Sequence, residues 1–182
     1  MGKLYVDNIS KYNKVIRLIW SLVYFLFFKP TPRWAMGKWR IFLLRLFGAK
    51  IGQGCRVLPD CRIWAPWNLT MGNYSVLADG VDCYTMAEIN IGSYVTVSQR
   101  AFICTGSHDI TKKNIPLVTA PVKIDDYVWV CAESFISPGV TVKKGAVVGA
   151  RSVVTRDIGS YEVVGGNPAV FIKQRVLDVG RE

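Results

Sequence analysis

Histidine occurs once in this 182-residue chain, at position 108. A metal site needing three imidazoles from one chain is thereby excluded. Cysteine occurs five times, at 55, 61, 83, 104 and 131, an odd number with no CxxC pair. That pattern argues against a disulfide framework or a zinc knuckle, and a reducing, cytoplasmic setting is the simpler expectation. Long apolar runs are missing too. The longest, LIWSLVYFLFF from Leu18 to Phe28, falls short of the about 20 residues that cross a bilayer. It starts late for a signal peptide, and no small-x-small cleavage site follows it. Acids are scarce at one end: residues 1–50 hold ten Lys or Arg but one acid, Asp7, whereas residues 51–182 hold thirteen bases and twelve acids. Eleven of the 22 aromatic residues also lie in 1–50. A basic, aromatic head (1–50) thus precedes a nearly neutral body. At 51% hydrophobic residues the chain is long and apolar enough for one folded core.

What is present is a hexad. Stepping by six from Ile51 gives Ile51, Val57 and Ile63; after a two-residue skip, Met71, Leu77 and Cys83; after another, Ile91, Val97 and Ile103. The step resumes at Ile124 and continues through Val130, Ile136, Val142, Val148 and Val154. Fourteen of these fifteen positions are Ile, Val, Leu or Met. The fifth position of each hexad is small or Val in thirteen of fifteen, Trp67 and Ile158 being the exceptions. One aliphatic residue per six points inward from a short flat strand, and one small residue fits the crowded inside of a corner. Three hexads close one triangular coil, and about five coils stack at about 4.8 Å, each strand pairing with the coils above and below. The 3.6-residue period of an amphipathic helix is absent. The expected fold is all-β: a parallel β-helix over 51–160, with a short tail at 161–182.

The repeat breaks once, from Asp109 to Pro121. Thirteen irregular residues between regular coils predict a loop thrown out of the prism, and His108 stands at its root. Either it is an incidental surface residue or a general base, and the coincidence of sole imidazole with sole large irregularity favours the base.

The hexads, Cys104-Thr-Gly-Ser-His108-Asp, Ile124-Asp-Asp-Tyr-Val-Trp129-Val and the ending Val163-Val-Gly-Gly-Asn167-Pro168-Ala resemble the hexapeptide-repeat acyltransferases, among them the galactoside and maltose acetyltransferases. The head, followed by Leu43-Leu-Arg-Leu-Phe-Gly-Ala-Lys-Ile-Gly52, is similar to the colanic-acid-type sugar O-acetyltransferases of exopolysaccharide synthesis. The resemblance, not the spacing, implies a left-handed coil, acetyl-CoA as co-substrate, no metal, a homotrimer with sites between prisms, and a sugar or lipid-linked saccharide acceptor. It implies that His108 takes a proton from the acceptor hydroxyl, which attacks the thioester directly. Trp129 would pack along the pantetheine arm, and backbone N–H groups near Cys131 and Ala132 would meet the oxyanion. Ala150, Arg151, Thr155 and Arg156 match the coenzyme groove, the two arginines as phosphate contacts or as ordinary solvated charges; Lys173 and Arg175 are weaker matches. Asp82, Tyr84 and Thr85, one coil before His108, are candidates for the acceptor. Asp109 either binds sugar hydroxyls or starts the loop. A covalent role for Cys131 is disfavoured, since one histidine would have to serve both half-reactions. The alternatives are acetylation of a small xenobiotic or amino sugar, and a non-enzymatic scaffold.

In the head, two helices are expected, at about 11–28 and 33–47, broken at Lys29-Pro30-Thr-Pro32 and ended at Gly48. Its composition suits either a helix lying on the anionic inner face of the plasma membrane or a cap on the open end of the β-helix. Its bases are interleaved with apolar residues, which disfavours nucleic acid.

Overall fold

The computed structural model describes residues 10–177; Lys3 and Asp7 of the head and the end of the tail, 178–182, lie outside the described residues. Three flat parallel sheets form the sides of a left-handed triangular prism. The first face stacks strands Lys50–Ile51, Leu69–Met71, Ile89–Ile91, Val122–Ile124 and Thr141–Val142. The second stacks Arg56–Val57, Val76–Leu77, Thr96–Val97, Trp129–Val130, Val147–Val148 and Glu162–Gly165. The third stacks Arg62–Ile63, Asp82–Tyr84, Phe102–Cys104, Phe135–Ile136 and Val153–Val154.

The register is that of the hexad. Ile51, Met71, Ile91, Ile124 and Val142 lie directly over one another on the first face. Val57, Leu77, Val97, Val130 and Val148 do so on the second, and Ile63, Cys83, Ile103, Ile136 and Val154 on the third. All fifteen are buried. They form a continuous apolar column in which each inward side chain removes about 1.5–3 kcal/mol of exposed apolar surface from water. Polar fifth-position groups at the inner corners are satisfied by turn backbone: the Ser75 hydroxyl donates to Gly92 O at 2.7 Å, and the Cys61 thiol to Ala78 O at 2.9 Å. Burial pushes the Cys61 thiol up to about 12, in keeping with a packing role.

Two expectations are corrected at the C-terminal end. The sixth coil is begun rather than absent, because Glu162–Gly165 adds a parallel strand beside Val147–Val148, placing Val164 over Val148. The segment from 161 is therefore no simple tail. Val170–Gln174 then folds back antiparallel on that strand and covers the last parallel edge.

In the head, helix α1 (Lys11–Val23) is capped by Ser10, whose side chain accepts from Asn13 N, and it runs into a wider turn at Tyr24–Phe28. Helix α2 is Gly37–Leu46, four residues later than the sequence predicted. The cause is Arg40, which is buried. Its guanidinium donates to Val57 O, Thr31 Oγ1, Pro32 O and Ala35 O at 2.8–3.2 Å. The 32–35 backbone wraps this cation instead of joining a helix. Trp20, Phe28, Leu43 and Leu44 merge with the first-coil core, and the Trp20 indole N–H donates to Ile63 O at 2.7 Å. The head thus covers the open end of the prism. Among the described residues no helix is long and apolar enough to cross a membrane.

Candidate active site

The break in the repeat is more ordered than the sequence predicted. Gly106–His108 pairs antiparallel with Leu117–Thr119, so a β-hairpin leaves the prism after the third-face strand Phe102–Cys104 and returns before Val122–Ile124. Its tip is tied by Asp109. One carboxylate oxygen accepts from Thr111 N at 3.0 Å and from its hydroxyl at 2.6 Å, and the other faces Lys112 Nζ at 3.4 Å. The Thr111 donors hold this carboxyl below its usual range. With these contacts Asp109 starts the turn.

His108 is exposed on this hairpin, with Nδ1 2.9 Å from Ile115 O. A carbonyl can only accept, so Nδ1 is the donor in this contact, and in the neutral ring Nε2 is the nitrogen that keeps a lone pair. The carbonyl is aimed by a costly backbone: Ile115 has φ +42°, a region that β-branched residues avoid. Nothing in sequence spacing marks Ile115, and reasoning from sequence missed it.

The hairpin root rests on the second coil. Tyr84 pairs with Cys104 and Asp82 with Phe102. A Cβ added at Gly106 would lie 2.9 Å from the Tyr84 ring and 2.9 Å from Met86 Sδ. Asp82 and Tyr84 therefore share the third face with the root of the His108 hairpin. Burial pushes the Asp82 carboxyl up, partly offset by Arg62 at 3.8 Å. We expect Gly106→Ala to shift the hairpin, and with it His108, and to lower kcat about tenfold or more although the imidazole itself is retained, as steady-state kinetics would read. Thr85 needs correction. It is fully buried, and its hydroxyl accepts from Ala65 N and donates to Ala65 O at 2.7 and 2.9 Å. It closes the corner widened by the two-residue skip and cannot reach an acceptor.

The coenzyme candidates lie elsewhere on the prism. Trp129 is on the second face, 48% exposed, its indole N–H donating to Ser98 Oγ at 2.9 Å. Cys131 and Ala132 follow at the corner between second and third faces, with Ala150 and Arg151 in the same place one coil on. Within one chain, Trp129 and His108 therefore stand on different sides. Cys131 N donates to Val148 O at 2.9 Å as part of the coil ladder, so that donor is taken, whereas Ala132 N makes no backbone hydrogen bond among the described residues. Arg151 is also engaged: it and Arg100 both bind the Glu133 carboxylate, which these two cations hold below its usual range. Arg175 Nη1 donates to Tyr127 O and Gly145 O and fastens this end of the described chain to the prism. Ala150, Thr155, Arg156 and Lys173 are exposed, and Arg156 joins none of the ion pairs of the described residues. Burial raises the Cys131 thiol, keeping it protonated and a poor nucleophile. Cys131→Ser should accordingly keep most of the activity, and acetyl-CoA alone should leave no acetylated protein by mass spectrometry; a stoichiometric adduct on Cys131 would overturn this.

A six-coil left-handed β-helix carrying an exposed histidine on an excursion hairpin defines a hexapeptide-repeat acyltransferase architecture. No protein-family model matches the chain. It is 42% identical, over 164 residues and 90% of each chain, to WcaF of Escherichia coli K12, named as an acetyltransferase of colanic acid biosynthesis. It is 31% identical to the galactoside O-acetyltransferase of the same organism, over 72% of this chain and 66% of that one. In three dimensions it resembles a hexapeptide-repeat acetyltransferase of Vibrio cholerae solved with acetyl-CoA, with a TM-score of 0.82 and 23% identity over 96% of this chain and 98% of that one. The chain belongs to the hexapeptide-repeat acetyltransferase family, in its colanic-acid-biosynthesis branch.

Proposed function

We propose that this protein transfers the acetyl group of acetyl-CoA to a sugar hydroxyl in exopolysaccharide assembly. The observation that carries the reading is the 2.9 Å contact of His108 Nδ1 with Ile115 O, which in the neutral ring leaves Nε2 as the proton acceptor. Nε2 takes the acceptor proton as the hydroxyl oxygen attacks the thioester carbon, and returns it to the departing thiolate. Asp82 and Tyr84, on the face below the hairpin, orient the acceptor. Ala132 N–H receives the oxyanion. Trp129 lies along the pantetheine arm, Ala150 leaves room beside it, and Thr155, Arg156 and Lys173 face the phosphates. Because Trp129 and His108 occupy different sides of one prism, each complete site combines two chains, and the working form is a homotrimer. The protein acts in the cytoplasm, with its basic head in peripheral contact with the inner face of the plasma membrane.

The test is release of free thiol from acetyl-CoA by the full chain across a panel of sugars, saccharide intermediates, amino sugars and chloramphenicol. Turnover restricted to saccharide hydroxyls supports the reading. Turnover confined to chloramphenicol or amino groups, or none on any acceptor, overturns it.

A further inference from the structure

Between α1 and the third face of the first coil runs a groove of about 420 Å³. Arg17, Lys29 and Arg62 line it together with Tyr24, Phe25 and Trp64, and no carboxylate does. The Arg17 guanidinium lies 3.7 Å from the centre of the Trp64 ring, which holds a cation in place over a flat aromatic face. Neither Arg17 nor Lys29 forms an ion pair with a described residue, whereas Arg62 faces Asp82 at 3.8 Å. Beside the lining row of α1 runs a second row, Leu18, Leu22, Phe25 and Leu26, at helical spacing, and all four are exposed. A concentrated positive charge with aromatic walls, bordered by an unpartnered apolar stripe, matches one chemistry: a phosphate or diphosphate carried on a long apolar chain.

We propose that this groove binds the phosphate or diphosphate head of a lipid, whose chain lies along Leu18, Leu22 and Leu26. The proposal rests on the sugar-acetyltransferase reading and deepens it, making the acceptor a saccharide carried on that lipid phosphate. The geometry accommodates this. Arg62 is directly below Asp82, and Asp82 directly below Phe102, the strand from which the His108 hairpin departs. Two coil steps, about 10 Å, thus carry the groove up the same face to the strand from which the hairpin departs.

Calorimetric titration of the full chain, without acetyl-CoA, tests the site with four probes: farnesyl diphosphate, inorganic pyrophosphate, uridine diphosphate and farnesol. Farnesyl diphosphate is expected to bind at least about tenfold more tightly than each of the others. The double variant Arg17→Gln/Lys29→Gln should lose about tenfold or more of that affinity, while Lys11→Gln/Lys38→Gln, with the same loss of charge outside the groove, should not. Pyrophosphate or uridine diphosphate binding as tightly as farnesyl diphosphate would make this a soluble-anion site and overturn the lipid assignment. Equal losses in the two double variants would reduce the effect to net charge and overturn the site. The wild-type ranking of probes is informative even if a variant misfolds. Thiol release with an unphosphorylated saccharide, measured on the same protein, reports separately on the acetyltransferase reading.

Discussion

Replacing His108 by Ala should lower kcat by about 10²–10⁴-fold, the usual range for removing a general base, while the oligomeric state and coenzyme affinity stay unchanged. The side chain is exposed, so its loss leaves no cavity; what disappears is the acceptor at Nε2. The same expectation separates two roles within the hairpin. Ile115 contributes only a carbonyl, so Ile115→Gly keeps the hydrogen-bond partner while relieving the positive φ. The paired measurement is kcat by thiol release beside coenzyme affinity by calorimetry. A near-normal kcat in the alanine variant would remove His108 from the reaction.

The second large effect is on stability. Phe28→Ala should destabilise the protein by about 3–5 kcal/mol, the range for emptying a fully buried aromatic site. Phe28 is 0% exposed; its ring meets Trp20 edge-on with centroids 5.9 Å apart and stacks on Tyr24 at 5.5 Å. Its carbonyl accepts from the Thr31 hydroxyl, which in turn accepts from Arg40. One substitution therefore loosens the aromatic wedge that seats the head on the first coil. Phe25→Ser, three residues away and exposed, should change stability by only about 0.5 kcal/mol. Denaturant unfolding of the two variants decides the point: equal effects would mean that the head does not cap the prism.

The prism was legible because its rule is local and repeated. Every first-position residue of the fifteen hexads proved buried and stacked in register, since period and burial are one constraint in a coil of flat strands. The departures share a different cause. Arg40 reads in sequence as one more surface base of the head; that three carbonyls and the Thr31 hydroxyl would converge on it depends on how two helices meet, and this displaced the start of α2. Thr85 reads as an outward polar residue, but the two-residue skip leaves backbone groups of Ala65 to be satisfied, and its hydroxyl turns inward to do so. His108 was marked by its rarity and by the broken period. The groups that set its tautomer were not, because a carbonyl has no sequence signature and a positive φ at isoleucine contradicts the propensity rules from which sequence reasoning starts. The hairpin pairing was hidden for a related reason: its strands are three residues each, too short for alternation to stand out.

The excursion carrying His108 leaves the register of the stack untouched: Ile91 is followed directly above by Ile124, as though nothing intervened. Loop length enters the folding free energy only logarithmically, a doubling costing about 0.6 kcal/mol, so the prism is almost indifferent to what is spliced in at this corner. The excursion and the scaffold are thereby separable under mutation. The 109–116 tip can therefore change in length or sequence without disturbing the stack of coils.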